Sequence, residues 1–268
     1  MTCAIYQGLD GSDMWAALAT LLVRSRLRNE YFMKKLLLIV PTLLVLAVSG
    51  CAPEVVGEQD RGMLTTDPVY TGLSRSVSEN KLFSPRDPSV IMRFDPSFRH
   101  IGGQKFVLYG VADTEQHFFV ETTADNKLKS LYWIQFEEYL PDNSYQYDYE
   151  DSPARLRLND YNFYLDTAAV HSDPKKRRRG SDGSLVRQFV LSKGYTLPEE
   201  FAYARLVHLT DASRRKELMI IFIDDLALLG LTASDLNEDG KEAQRWPEIE
   251  KKHLEKIRRT FTLIPHQN

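Results

Sequence analysis

The chain has 268 residues, 43% hydrophobic and 26% charged, the composition of an ordinary folded protein with one domain or two small ones. Its net charge of -3 is unevenly spread: residues 1–50 hold five of the 34 basic and three of the 37 acidic groups, which leaves 29 against 34 in the remainder, a net of -5. An acidic body lacks the dominant positive field that phosphate binding requires, which excludes nucleic acid as the principal partner.

Residues 15–23 form a short apolar stretch followed by Arg24, Arg26 and Arg28, too short to span a bilayer. A second start follows at Met33-Lys34-Lys35, with an apolar run over 36–48 broken only by Pro41 and Thr42. A positive start, a short apolar core and small residues before a cut describe a secretory signal. The expectation is that translation begins at Met33 and that 1–32 is an upstream extension outside the translated protein; an extended amphipathic leader is the alternative. The apolar stretch 36–50 has fifteen residues, short of the roughly 20 needed for an uncleaved membrane helix.

The cysteines agree with export. Only Cys3 and Cys51 are present, so nothing after residue 51 can form an internal disulfide, a pattern suited to an oxidising compartment. Val48-Ser49-Gly50-Cys51 resembles the lipobox of bacterial lipoproteins: a branched aliphatic, two small residues and a cysteine. The resemblance implies a signal peptide over 33–50, lipid attachment at Cys51, cleavage before it and acylation of the new amino terminus by a fatty acid such as palmitate. Ala52, where an aspartate would retain the protein at the inner membrane, implies outer-membrane anchoring facing the periplasm. The covalent lipid is the one cofactor-like group expected.

Residues 51–80 carry few large apolar groups and read as a tether, and 81–268 as a single globular domain. Strands are expected over 104–111, 116–121 and 128–140, the last with apolar groups on both parities and Gln135 sharing the parity of Leu131 and Trp133. Tyr145, Tyr147 and Tyr149 alternate with polar residues at period two. A hairpin is expected over 155–158 and 161–167 around Asn159-Asp160, then strands over 186–191, 202–209 and 217–223. Pro247, Glu248 and Glu250 open a last helix whose stripe is Ile249, Leu254, Ile257 and Phe261. The fold class is therefore α+β, a twisted antiparallel sheet with a C-terminal helix packed on one face. This element order resembles the PsbP-like α+β fold, which includes bacterial lipoproteins.

Four groups of residues have the types that carry chemistry. Asp235, Asn237, Asp239 and Gly240 match the first half of a calcium loop, but Trp246 stands where the closing glutamate belongs, so a solvated loop before the last helix is expected and no metal. Asp113, Glu115 and His117 share one strand face, expected as a polar hairpin edge facing water. Asp224 and Asp225 end an apolar strand and read as a charged exit to a loop. Lys175, Lys176, Arg177, Arg178 and Arg179 form an exposed basic loop, with anionic headgroups as the functional partner and a solvated loop as the bland one. No nucleophile elbow, phosphate loop or zinc-binding histidine pair is present, so no catalytic residue is named. The expectation is an envelope lipoprotein serving as a non-enzymatic binding or accessory module, held to the membrane by its lipid, with an envelope protein as a further partner. The alternative is a periplasmic hydrolase or metal-dependent enzyme with dispersed catalytic residues, which a pocket with converging acids or histidines would favour.

Overall fold

Strands with apolar residues on both parities need cover on two sides, and that requirement shapes the domain. The structure is a computed structural model and describes residues 66–173 and 180–266. The larger sheet is antiparallel throughout, in the order β4-β5-β6-β10-β9-β8-β7. Its strands are β4 (Arg99–Leu108), β5 (Ala112–Thr122), β6 (Leu128–Tyr139), β7 (Ala154–Leu158), β8 (Tyr161–His171), β9 (Glu200–Leu209) and β10 (Lys216–Asp225). The smaller sheet runs β1-β2-β3-β11, with β1 (Ser76–Ser78), β2 (Lys81–Pro85), β3 (Ser89–Phe94) and β11 (Phe261–Pro265).

The two sheets stack through one large core. Phe119, Tyr132, Ile134, Leu206, Ile220 and Phe222 of the large sheet meet Leu82, Met92, Phe94, Phe261 and Leu263 of the small one. Phe94 stacks on Phe119 with ring centroids 3.7 Å apart, and Tyr132 lies 4.4 Å from Phe222. The opposite face of the large sheet offers Phe118, Leu131, Trp133, Val207 and Ile221, covered by Val186, Phe189 and Val190 of helix α1 (Asp182–Ser192). A short helix α2 (Ala233–Leu236) precedes helix α3 (Trp246–Thr260), whose Ile257 joins the core between the sheets.

The α+β class and the C-terminal helix are as expected, with Pro247 in the first turn of α3. The hairpin at Asn159-Asp160 is also present: Leu158 pairs with Tyr161, and Asn159 takes the positive φ of 51° that such a turn demands. Three elements differ. The single expected sheet is two, and Ser76–Ser78, inside the stretch read as a tether, is strand. The 186–191 strand is helix α1: Ser181 accepts from the Ser184 N–H at 3.2 Å as N-cap, Asp182 sits at the positive end, and Leu185, Val186, Phe189 and Val190 fall on one helical face. The β-branched valines point to strand by propensity, but the cap and the four-residue spacing decide otherwise. Finally, 145–149 lies outside any ladder, its alternation set by burial of Tyr147 against the exposed Gln146 and Asp148.

The stacked core predicts a large, local stability cost. Phe119→Ala should lower the unfolding free energy by about 3–5 kcal/mol in denaturant titration. Leu191→Ala, at a position 51% exposed on α1, should change it by less than about 0.5 kcal/mol.

Candidate functional site

A cleft of about 310 Å³ opens where the ends of β4, β5 and β6 meet the segment before β1 and the β2–β3 turn. Its lining includes Arg75, Arg86, Lys105, Asp113, Glu115 and Phe136. The Glu115 carboxylate is fixed from several sides. It accepts backbone N–H bonds from Ser74 and Arg75 at 2.9 and 3.0 Å, contacts His117 Nε2 at 2.9 Å, and lies 3.5 Å from the Arg75 guanidinium. Burial pushes this carboxyl up, but the His117 and Ser74 hydrogen bonds and the Arg75 charge outweigh it and hold it down to about 2. Arg75 in turn lies 3.8 Å over the Phe136 ring, a cation–π contact that keeps the guanidinium flat against the cleft wall.

Other charges in the cleft are less engaged. Lys216 neutralises Asp87 at 3.1 Å and Glu138 at 3.0 Å. Lys105 Nζ donates to the Gly72 carbonyl at 2.6 Å. Among the described residues, the side chains of Arg86 and Asp113 have no ion-pair partner. Behind Glu115, His100 and His117 lie 5.7 Å apart, and burial, then the His117 charge, bring His100 down to about 4. Gly103 makes this packing possible: a Cβ there would sit 2.6 Å from the Gln116 carbonyl and 2.9 Å from His117 Nδ1.

The other face of the same strands holds a buried polar row. Gln104 Nε2 donates to Gln116 at 2.7 Å, Gln116 to Gln135 at 2.6 Å, and Gln135 to Glu137 at 2.7 Å, with Trp133 Nε1 donating to Gln135 at 3.0 Å. The Tyr147 hydroxyl donates to Glu137 at 2.8 Å and the Tyr149 hydroxyl to Glu217 at 2.7 Å.

A third cluster contains a serine, a lysine, a histidine and an aspartate. Ser130 Oγ donates to Asp224 at 2.6 Å, Lys256 Nζ lies 2.6 Å from Ser130 and 2.9 Å from Asp224, and His253 Nδ1 meets the other Asp224 oxygen at 2.7 Å. The geometry opposes nucleophilic catalysis. Ser130 is 1% exposed and directs its proton to a carboxylate. Lys256 Nζ donates to the serine Oγ and lies in ion-pair distance of both Asp224 and Glu121, so it is not placed to take the serine's proton. His253 turns its other nitrogen into the core, where Nε2 has no hydrogen-bond partner among the described residues. The cluster fastens α3 to the sheet, and Asp224, expected as a loop exit, is its hub.

The remaining candidates fall apart or lie elsewhere. Asp235 closes a capping box with Thr232, accepting from its N–H at 2.9 Å and its hydroxyl at 2.8 Å, with Lys241 at 3.2 Å. Asn237 is the C-cap of α2, and Gly240 packs against the Asp235 carbonyl too closely for any Cβ. Asp235 is engaged by Thr232 and Lys241, and among the described residues no group of three or more acids, histidines or cysteines is placed to hold a metal. Asp113 is exposed, while Glu115 and His117, expected at a wet edge, are buried because the small sheet and Arg75 cover them. Cys51 and Lys175, Lys176, Arg177, Arg178 and Arg179 lie outside the described residues. No helix among the described residues is long and apolar enough to cross a membrane.

The residues that sequence reasoning missed carried a faint signal. Gln116, Gln135, Glu137 and Glu217 are polar groups on the inward parity of otherwise apolar strands, and His253 stands four residues from both Ile249 and Ile257 on the buried face of α3. No family model matches the chain, and no curated protein or solved structure matches it.

The histidine pair gives a pH prediction. His100 titrates at about 4 when folded against 6.5 when exposed, so its contribution is complete above about 6.5 and is lost as pH falls toward 4. Glu115 acts in the same direction lower down, from 4.5 toward 2. Replacing His100→Phe removes the first loss. Relative to wild type, the variant should gain on the order of 1–2 kcal/mol as pH drops from about 7 to 4, allowing for the ring's partial exposure. A constant difference across that range in denaturant titrations would refute this role for His100.

Proposed function

We propose that this chain is a lipid-anchored protein of the cell envelope whose folded domain binds a small ligand in the cleft at Arg75 and Glu115. Anchoring follows from the lipobox at Val48-Ser49-Gly50-Cys51, with Ala52 favouring the outer membrane and a periplasmic position. The basic run from Lys175 to Arg179 would add attraction to anionic headgroups, about 1 kcal/mol for each cation close to the surface. Expression of the full chain carrying Cys51→Ala should abolish fatty-acid labelling and leave the precursor uncleaved. Labelling at the wild-type level would remove the anchor from this reading.

Binding by the cleft rests on one observation: the buried Arg75 and Glu115 are locked to each other, while other lining charges have no ion-pair partner among the described residues. Arg75, Glu115, Asp87 and Glu138 already have partners within the protein. Among the described residues, Arg86, Lys105 and Asp113 line the same space without an ion-pair partner. Two cations and one anion suit a carboxylate gripped by Arg86 and Lys105 beside an ammonium directed to Asp113, the pattern of a free amino acid. Locked inner pairs make such a site rigid, and binding rather than covalent chemistry is what fixed charges without an activated nucleophile provide.

Calorimetric titration of the Cys51→Ala protein with a panel of amino acids and their decarboxylated amines tests this. At least one amino acid should bind, its amine should bind at least about tenfold more weakly, and Arg86→Ala or Asp113→Asn should weaken it similarly. Unchanged affinity in both variants, or no binding by any member, would refute the cleft's assignment.

A further inference from the structure

The large sheet carries two carboxyl groups face to face in its interior. Glu137 on β6 and Glu217 on β10 are directly opposed in the antiparallel register, on the face covered by α1. Glu217 is fully buried and Glu137 is 3% exposed. Side chains so paired have Cβ atoms about 5 Å apart. We propose that Glu137 and Glu217 hold one proton between them, and that its release above neutral pH frees the segment 140–153 from the sheet.

The charge surroundings require the proton. From α1, Asp182 faces the pair as a third buried acid, and from β5, Thr114 stands opposite Glu137. From β9, Arg205 is the cation that faces them, but Asp166 on β8 holds it at 2.7 Å. Tyr139, Tyr147, Tyr149 and Tyr203 add hydroxyl groups, and Gln135 an amide, none of which is a cation. Among the described residues the pair has no cation of its own, and two adjacent carboxylates so placed, out of contact with water, are not tolerated; one of them stays neutral. Glu217 Oε1 also has no hydrogen-bond partner among the described residues, and a proton on either carboxyl supplies one. Burial accordingly raises both acids, Glu137 to about 7 and Glu217 well above its ordinary value.

The segment that covers them is built to leave. Residues 140–153 join no ladder, so the large sheet keeps its strand-to-strand hydrogen bonds without them. They are held by Tyr147 and Tyr149, whose hydroxyls grip the two acids, by arginines that cap their carbonyls, and at the ends by Leu140 and Asn143 bonding the Val111 carbonyl and by Glu150 accepting from the Tyr164 hydroxyl. Arg214 Nε donates to Tyr147 O and Arg215 Nη1 to Tyr145 O, both at 2.8 Å, and Tyr147 N donates to Arg214 O at 2.8 Å. When the shared proton passes to water, the pair goes from one negative charge to two. The dianion is relieved by hydration, and the two tyrosines stand where water must enter. Beneath Tyr147 lie Ala112 and Tyr139, with the Gln135–Glu137 end of the glutamine row beside them, so opening exposes a mixed floor of apolar and polar groups.

Two measurements on the Cys51→Ala full chain test the latch. A buried neutral carboxyl gives an infrared carbonyl band at about pH 6, where exposed acids are ionised, and it should vanish by about pH 9. Over the same interval, hydrogen exchange at the Tyr147 amide should lose at least about tenfold in protection relative to Ile220 in β10. The double variant Glu137→Gln/Glu217→Gln should lack the band and keep Tyr147 protection constant. If that variant does not fold, Tyr149→Phe serves. Without the hydroxyl that stabilises the Glu217 carboxylate, the infrared midpoint should move to higher pH. Absence of the band in wild type, an unmoved midpoint in Tyr149→Phe, or Tyr147 exchange that tracks Ile220 at every pH would each overturn the proposal.

Discussion

The antiparallel pairing of β6 with β10 is the constraint from which the other layers follow. The two strands are in continuous register from Lys216 opposite Glu138 to Asp224 opposite Ser130, and nearly every side chain between is buried on one face or the other. A sheet apolar on both faces is unstable in water until both are covered. The small sheet and the end of α3 cover one face; α1 and the tyrosine segment cover the other. Two of the three polar clusters, the cleft and the glutamine row, lie on opposite faces of this sheet.

Those two places handle burial differently. In the cleft, opposite charges neutralise one another, with Arg75, Glu115 and His117 forming a closed set whose geometry is fixed by backbone N–H groups as well as side chains. On the opposite face the solution is directional. Each glutamine donates its amide to the next acceptor, so the row has a sense, and it needs a terminal group that accepts without having to donate onward. A carboxyl serves that purpose, and Glu137 stands at the end. Polar chains of this kind are tolerated in a core when every member is satisfied, and they specify one packing arrangement more sharply than interchangeable apolar groups do.

Much of this was legible in the sequence, for physical reasons that differ by element. The strands at 128–139 and 216–225 announce themselves because β-branched and aromatic residues fill both parities. The last helix does so because Pro247 and an apolar stripe agree. Helix α1 was misread because Val186 and Val190 favour strand locally, while its helical face is decided by the distant surface that covers it. The small sheet was invisible because β1 is three residues long and β3 and β11 find each other only through the fold. The cleft follows the same logic. Glu115 and His117 stood out with Asp113 on one strand face, but Arg75, which covers Glu115, comes from forty residues away, so parity alone gave the wrong solvent exposure for Glu115 and His117. His253 was hidden by its neighbours, since a histidine inside an apolar stripe is recognised only once Asp224 is seen waiting opposite it.

The pairing of β3 with β11 has a consequence for how the domain assembles. Phe94 lies opposite Phe261, and the two strands that close the small sheet come from its first and last portions. Contacts of such long sequence separation form slowly, because the entropy of closing the loop is lost before the contacts reward it. The large sheet, built mostly from consecutive hairpins, can order first, leaving Phe119, Tyr132 and Phe222 uncovered until β11 arrives. An emerging chain therefore carries this aromatic surface open to its surroundings until β11 is made, a window in which a holding chaperone has the most to grip.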